Sequence, residues 1–564
     1  MLKSIVVAAT LALASPLIAQ PIVKGPQAAR IDSLLTNIVP FGFSGAIAIE
    51  KSGELILKKA YGLANRTTGE PLTESTPFII GSLAKQITAA AILKLESEGK
   101  LGVSDPLSKF YPNAPEHSRG LTLHQLMSHS AGLPYFSNSS LMEQKPRDEK
   151  MQELIQLQPD FAPGSKFSYS NPGYTLLAGV IEKASGMTFE EYLRSRFFMP
   201  LGMSETGFIA ESDRWKKNAP HSYSEGNDEG ALSDWREGAE FAGAGNIVST
   251  IGDMYKWETA LSTSKVLPDS SRSKLFTAHI PTQGKNGYGY GWNVNKTIRN
   301  TTVIAHAGDL GGYNSDYRRY IDEGYVMIFL SNAREGGRGY RDAAMNPASL
   351  ILTGTPIPTA PASVALSTGD LETIAGTYSN GNASLTLSTR DGNLYLNASD
   401  QPSIKLLASG IPDSIPDQLT QATKQVLEDL RKGEYKSLRE NLSPSFPFED
   451  SKAGFSDMLR SNDLGLLKAI TVTGSTFTPP MSGRTYFTLN FEKGAQHFSY
   501  AWMRTGDGQG KIGGAKDEAT AGPSVLFVPT STTFVNVDPF SGKQLLIKLE
   551  SGKLSINGAE LAKR

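Results

Sequence analysis

The chain has 564 residues, enough for two to four domains at about 100–200 residues each, which excludes a single small module. Lys and Arg number 55 against 56 Asp and Glu, so a net charge of −1 excludes a basic nucleic-acid footprint and an acidic disordered chain, while 39% hydrophobic residues suit ordinary buried cores. Cysteine is absent, which excludes disulfides, Cys-ligated zinc and a thiolate nucleophile and leaves covalent catalysis to Ser, Thr, Lys or a carboxylate.

Met1-Leu2-Lys3, an apolar run over 5–13 and a small residue at Ala19 have the layout of a secretory signal peptide spanning 1–19, too short for a permanent bilayer span. No later stretch reaches about 18 consecutive apolar residues. The expectation is an exported protein, in a bacterial periplasm, with no integral membrane segment after cleavage. Residues 45–50 and 55–61 are β-type runs around Lys51-Ser52-Gly53-Glu54 and predict a hairpin. Over 82–98, Ala84, Ile87, Ala91 and Leu95 recur three or four apart and Gly99 follows, which predicts a buried helix with a glycine stop. A second helix is predicted over 174–184, and strands return at 301–305 and 324–330. The simplest arrangement is one sheet built from both ends of a unit spanning 20–352, with helices between.

Three prolines among small residues mark a linker at 353–366. Beyond it, 367–410 and 523–564 read as two halves of a β domain, and 411–522, with a helical pattern over 418–431 and a strand at 485–491, as an α+β insert. Pro412, Pro416 and Gly513-Gly514 supply breakers near the two joints.

The sharpest motif is Ile80-Gly81-Ser82-Leu83-Ala84-Lys85. Ser and Lys three apart share a helix face, so the amine can reach the hydroxyl, and a helix start offers free N–H groups where an oxyanion would form. The spacing recurs at Ser97/Lys100, Ser262/Lys265 and Ser271/Lys274, so it does not single out Ser82 by itself, and a helix-capping serine is the bland alternative. Phe167-Ser168-Tyr169-Ser170-Asn171-Pro172-Gly173 reads as a polar loop before a helix. Its phenol would ionise more easily beside an ammonium and serve as a base, or else be an ordinary turn tyrosine like those at 111, 378 and 395. His306-Ala307-Gly308-Asp309 follows a β run. His124 and His129, five apart, fall on different sides of a helix with no third ligand evident, so both read as structural and no metal is expected.

In this order the three motifs resemble the active-site set of the serine β-lactamase-related family, which includes penicillin-recognising enzymes, D-aminopeptidases and class C β-lactamase-like esterases. The resemblance extends over about 30–350 through Leu121-Thr122-Leu123-His124-Gln125-Leu126-Met127-Ser128-His129-Ser130-Ala131-Gly132-Leu133-Pro134, Gly243-Ala244-Gly245-Asn246, Tyr288-Gly289-Tyr290-Gly291-Trp292 and Gly311-Gly312-Tyr313. It implies an α+β fold, an antiparallel sheet flanked by helices plus an all-helical region. It also implies Ser82 as nucleophile, Lys85 and Tyr169 as movers of its proton, and Asn171 on the substrate amide and Lys85. His306 would stand where a Lys-Thr-Gly lysine stands and support Tyr169. The N–H groups of Ser82 and Asp309 would form the oxyanion hole, with Gly308 beside them and the Asp309 side chain as a loop or specificity feature. A neutral histidine does not attract a carboxylate, so an aminopeptidase, amidase or esterase is expected rather than a true β-lactamase. The implied partner is a small-molecule or short-peptide substrate, with no cofactor and no nucleic acid. The terminal β halves resemble a lipocalin-like barrel and the insert resembles nuclear-transport-factor-2-like domains. The competing reading is a catalytically silent receptor for peptidoglycan fragments or a protein partner.

Overall fold

The computed structural model describes residues 21–564 except 138–144, 225–226, 237, 239, 283, 298, 335–339, 355–366, 391–392, 408–413, 444–447, 462–463, 479–481, 505–509, 519–523, 530–533, 538–543 and 551. The predicted signal segment and most of the predicted linker lie outside the described residues. Among the described residues no helix is long and apolar enough to cross a membrane.

Alternation along the strands builds the first unit. Ala46 and Ala48 face one core and Ile47 and Ile49 the other; in the partner strand Ile328 and Leu330 face the first, Met327 and Phe329 the second. Strand Gly45–Lys51 pairs antiparallel with Tyr325–Ser331, Ile47 opposite Phe329, so the two ends of the unit meet in mid-sheet. The sheet has nine strands in the order Ile22–Val23, Glu54–Tyr61, Gly45–Lys51, Tyr325–Ser331, Tyr313–Tyr320, Thr302–Leu310, Asn293–Lys296, Gly287–Tyr288, Ile280–Pro281. Helices Gly25–Ile38 and Arg341–Leu352 cover one face through Ala28, Ile31, Leu35, Ala344 and Ala348. The other face carries helix Ala84–Ser97 and the helical region around Asn171–Ser185.

Three local expectations change. Ser82 belongs to a 3-10 turn, Gly81–Leu83, that runs into the helix at Ala84, rather than to the helix itself. The second helix begins at Asn171 rather than 174: the Ser170 hydroxyl caps it by accepting Gly173 N–H at 3.2 Å, and Pro172 sits in the first turn, where a missing N–H does no harm. The strand predicted over 301–305 continues to Leu310 and carries His306, Gly308 and Asp309 within it. Gly99 does close its helix, with φ 73° and its N–H bonded to Glu96 O at 2.9 Å.

Toward the C-terminus, strands Gly376–Ser379, Ser384–Arg390 and Asn393–Ala398 join Ser524–Pro529, Phe534–Val537, Gln544–Glu550, Lys553–Ile556 and Ala559–Lys563 in a closed barrel, shut by Tyr378 opposite Lys563. Between Ala398 and Ser524 the described residues form four helices and a four-stranded antiparallel sheet, yet Asn397 and Ser524 are register partners. An interruption of any length can sit there because its ends already lie on adjacent strands. Residues 401–407, read from sequence within the β half, form a helix that places Ile404 in the barrel core.

Candidate active site

Two glycines bring the serine turn against the sheet. Gly81 has φ 52°, and a Cβ on it would stand 2.8 Å from Asp309 N; a Cβ on Gly308 would collide with Ile80 O and stand 2.9 Å from Ser82 N. The backbone nitrogens of Ser82 and Asp309 therefore belong to segments that touch without side chains between them. Ser315 Oγ donates to Ile80 O at 2.8 Å and holds the turn in place.

Lys85 is fully buried one turn beyond Ser82. Its Nζ lies 2.7 Å from Asn171 Oδ1, 2.7 Å from Ala244 O and 3.0 Å from Ser82 Oγ. Burial holds the amine well below the ordinary lysine range. A neutral amine has two N–H donors and one lone pair. The two carbonyl oxygens can only accept, so they take both donors and leave the lone pair for the hydroxyl proton of Ser82. Asn171 is oriented in turn by Tyr135 O, which accepts from its backbone N–H at 3.1 Å and its Nδ2 at 3.2 Å.

Tyr169 packs beside this pair, its ring 4.9 Å from Lys85 Nζ. Burial pushes its phenol above the usual tyrosine range, a hydrogen bond with Ser82 acts against that, and Tyr135 and Asp309 add to it. The sequence expectation of an easily ionised phenol is therefore corrected: Lys85, uncharged by burial, exerts no pull on the proton, and desolvation dominates.

His306 is also rearranged relative to expectation. Its ring centroid is 6.1 Å from that of Tyr169, and it bonds elsewhere: Nδ1 lies 2.7 Å from Ala307 O and Nε2 3.0 Å from the Tyr288 hydroxyl. The carbonyl can only accept, so Nδ1 carries the proton and Nε2 accepts from Tyr288. Burial, the largest influence on it, pushes the imidazole down to about 3. The folded value lies below the unfolded one, so the stability contributed by neutral His306 is present above about pH 6.5 and is lost as pH falls toward 3. Melting temperatures measured from pH 7 to pH 4 are expected to fall less steeply for His306→Gln than for the wild type.

The Asp309 carboxylate accepts from Asn314 Nδ2 and pairs with Arg341 at 3.3 Å. A cavity of about 640 Å³ lined in part by Ala305, Ala307, Arg318 and Arg341 contains arginines paired with Asp309, Asp316 and Asp342, so its cations are already neutralised. Among the described residues no His, Asp and Glu group could hold a metal ion. His124 bonds the Tyr290 hydroxyl at 2.7 Å. Sequence reasoning passed over Tyr288, Tyr135 and the Ala244 carbonyl as site members. Tyr288 and Ala244 lie in segments that carry the family resemblance, but a residue's type does not announce that its main chain or hydroxyl will face a distant lysine or histidine.

The chain is similar to proteins already known. A family model described as Beta-lactamase matches residues 42–350. The chain is 29% identical over 398 residues to penicillin-binding protein 4* of Bacillus subtilis, covering 65% of this chain and 86% of that one. It is 27% identical over 311 residues to the teichoic acid D-alanine hydrolase of Staphylococcus aureus, covering 55% and 75%. In fold it resembles the octameric penicillin-binding protein homologue from Pyrococcus abyssi, with TM-score 0.51 and 17% identity over 94% of this chain and 99% of the other.

Proposed function

Because this chain belongs to the Beta-lactamase family, we propose that it is an exported serine hydrolase that cleaves an amide or ester through an acyl-enzyme on Ser82. The observation that carries this is the fully buried amine of Lys85, held well below the ordinary lysine range, with Nζ 2.7 Å from two carbonyl oxygens and 3.0 Å from Ser82 Oγ. Lys85 takes the hydroxyl proton as Oγ bonds to the substrate carbonyl carbon. The carbonyl oxygen becomes an oxyanion beside the N–H groups of Ser82 and Asp309, where one such donor is worth about 10²- to 10³-fold in rate. Collapse breaks the bond to the leaving group, which receives the proton from Lys85 by way of the Tyr169 hydroxyl. Water, deprotonated by the same amine, then adds to the acyl carbon, and as the bond to Oγ breaks Lys85 returns the proton to Oγ, releasing the acid and regenerating Ser82.

Substrate class follows from charge. His306, held neutral, stands where a lysine would attract a free carboxylate, which favours substrates whose leaving group carries no carboxylate over β-lactams and D-Ala-D-Ala termini. The relative named a teichoic acid D-alanine hydrolase points the same way, to esters or amides of D-amino acids. Purified protein should turn over p-nitrophenyl esters and D-amino-acid amides faster than a chromogenic cephalosporin; the reverse order would overturn this preference.

Tyr169→Phe tests the shuttle. The hydroxyl acts in proton transfer rather than in binding, so kcat is expected to fall about 10²-fold or more with little change in KM. Near-normal turnover would take Tyr169 out of the mechanism.

A further inference from the structure

Helix Leu123–Met127 ends at Ser128, and the next residue, His129, has φ 55°. That left-handed position after a helix is usually given to Gly or Asn. His129 is also buried at 1% exposure, and among the described residues Nε2 has no hydrogen-bond partner. A strained backbone and an orphaned ring nitrogen at one residue mark a contact that the surrounding structure enforces.

Its contacts converge on one segment. His129 O accepts from Ser168 N–H at 2.8 Å, and His129 Nδ1 accepts from Ser170 N–H at 3.1 Å. The ring lies against that of Tyr169, with centroids 4.1 Å apart and planes 33° apart. Tyr288 and Tyr174 enclose it at 4.8 and 5.0 Å. The helix starts only at Asn171, so no preceding turn supplies acceptors for the N–H groups of Ser168 and Ser170. Since Nδ1 accepts, the ring proton sits on Nε2, the atom without a partner.

We infer that His129 is a positioning residue whose carbonyl and Nδ1 clamp the backbone on both sides of Tyr169, holding that phenol against Ser82 and the next turn's Asn171 against Lys85. The inference rests on the reading of Ser82 as nucleophile and adds a residue that touches neither substrate nor reacting atoms.

Two variants separate the clamp from simple packing. His129→Asn places an oxygen where Nδ1 sits and tolerates the left-handed backbone. His129→Gln keeps an amide of similar bulk but carries it one bond further, away from Ser170 N–H. Acylation of Ser82 by a fluorophosphonate is expected to stay within about 5-fold of wild type in the Asn variant and to slow about 30-fold or more in the Gln variant, since a misplacement of about 1 Å is worth up to about 10²-fold. KM for a p-nitrophenyl ester should change by less than about 3-fold in both, the split expected of misplaced catalytic groups. Crystal structures should show Tyr169 displaced in the Gln variant only. Equal rates in the two variants, or an unmoved Tyr169 in the Gln variant, overturn the inference. If the Gln variant does not fold, the Asn variant decides: a folded protein slowed about 30-fold refutes the clamp, and near-normal acylation supports it. Failure of the wild type to acylate would sink the nucleophile assignment instead, while the crystallographic comparison still decides the clamp.

Discussion

Ser82→Ala is expected to lower kcat on a p-nitrophenyl ester by on the order of 10⁴- to 10⁶-fold, the scale seen when the nucleophile of a serine hydrolase is removed. The fold should survive. Only one hydroxyl is lost, and the turn is held by Ser315 and by the glycine contacts at 81 and 308 rather than by that hydroxyl, so stability should change by less than about 1 kcal/mol. Mass spectrometry of the wild type treated with a serine-directed phosphonate should place the adduct on Ser82, and the variant should carry none. An adduct elsewhere would displace Ser82 as nucleophile, whereas a wild type that takes up no phosphonate would favour the silent receptor.

Lys85→Met should produce the second large loss, about 10²- to 10⁴-fold in acylation rate, because it removes the base while keeping a chain of similar length. The pH profile distinguishes this from a packing defect. Burial lowers the Lys85 pKa, so wild-type kcat/KM should rise with pH and level off well below the ordinary lysine value of 10.5. The Met variant should lose that acid limb. Stability carries the matching sign: the unfolded chain holds a proton on Lys85 that the folded chain does not, so the penalty for burying it shrinks as pH rises toward 10.5. A Met variant with wild-type pH dependence in both activity and stability would show that another group is the base.

Parts of this site can be read in the chain because they depend on neighbours in sequence. Ser82 and Lys85 are three apart, and a helical turn brings them together whatever surrounds them. The strand at 45–50 alternates between small and large apolar residues and that at 324–330 is a continuous apolar run, and the sheet divides both between its two cores as a period of two requires. The offset at Asn171 has a local origin too: Ser170 and Pro172 are read as loop residues, although a cap followed by a first-turn proline is equally a helix start.

The remaining site chemistry is long-range. Nothing near His306 in sequence indicates that its Nε2 will meet Tyr288 from a different strand, nor does the chain around His129 show that its ring will bind the backbone at Ser170. The sequence by itself determined the periodicity, the Ser-x-x-Lys spacing, the glycine after Glu98 and, through its lack of cysteine, the restriction of covalent chemistry to other nucleophiles. Only the tertiary structure decided which groups are charged. The Lys85 amine is held well below the ordinary lysine range because Asn171 and Ala244, 86 and 159 residues away along the chain, close over it and leave it fully buried. Desolvation depends on what the whole fold places around a group, and that is not a property of the residues beside it in the chain.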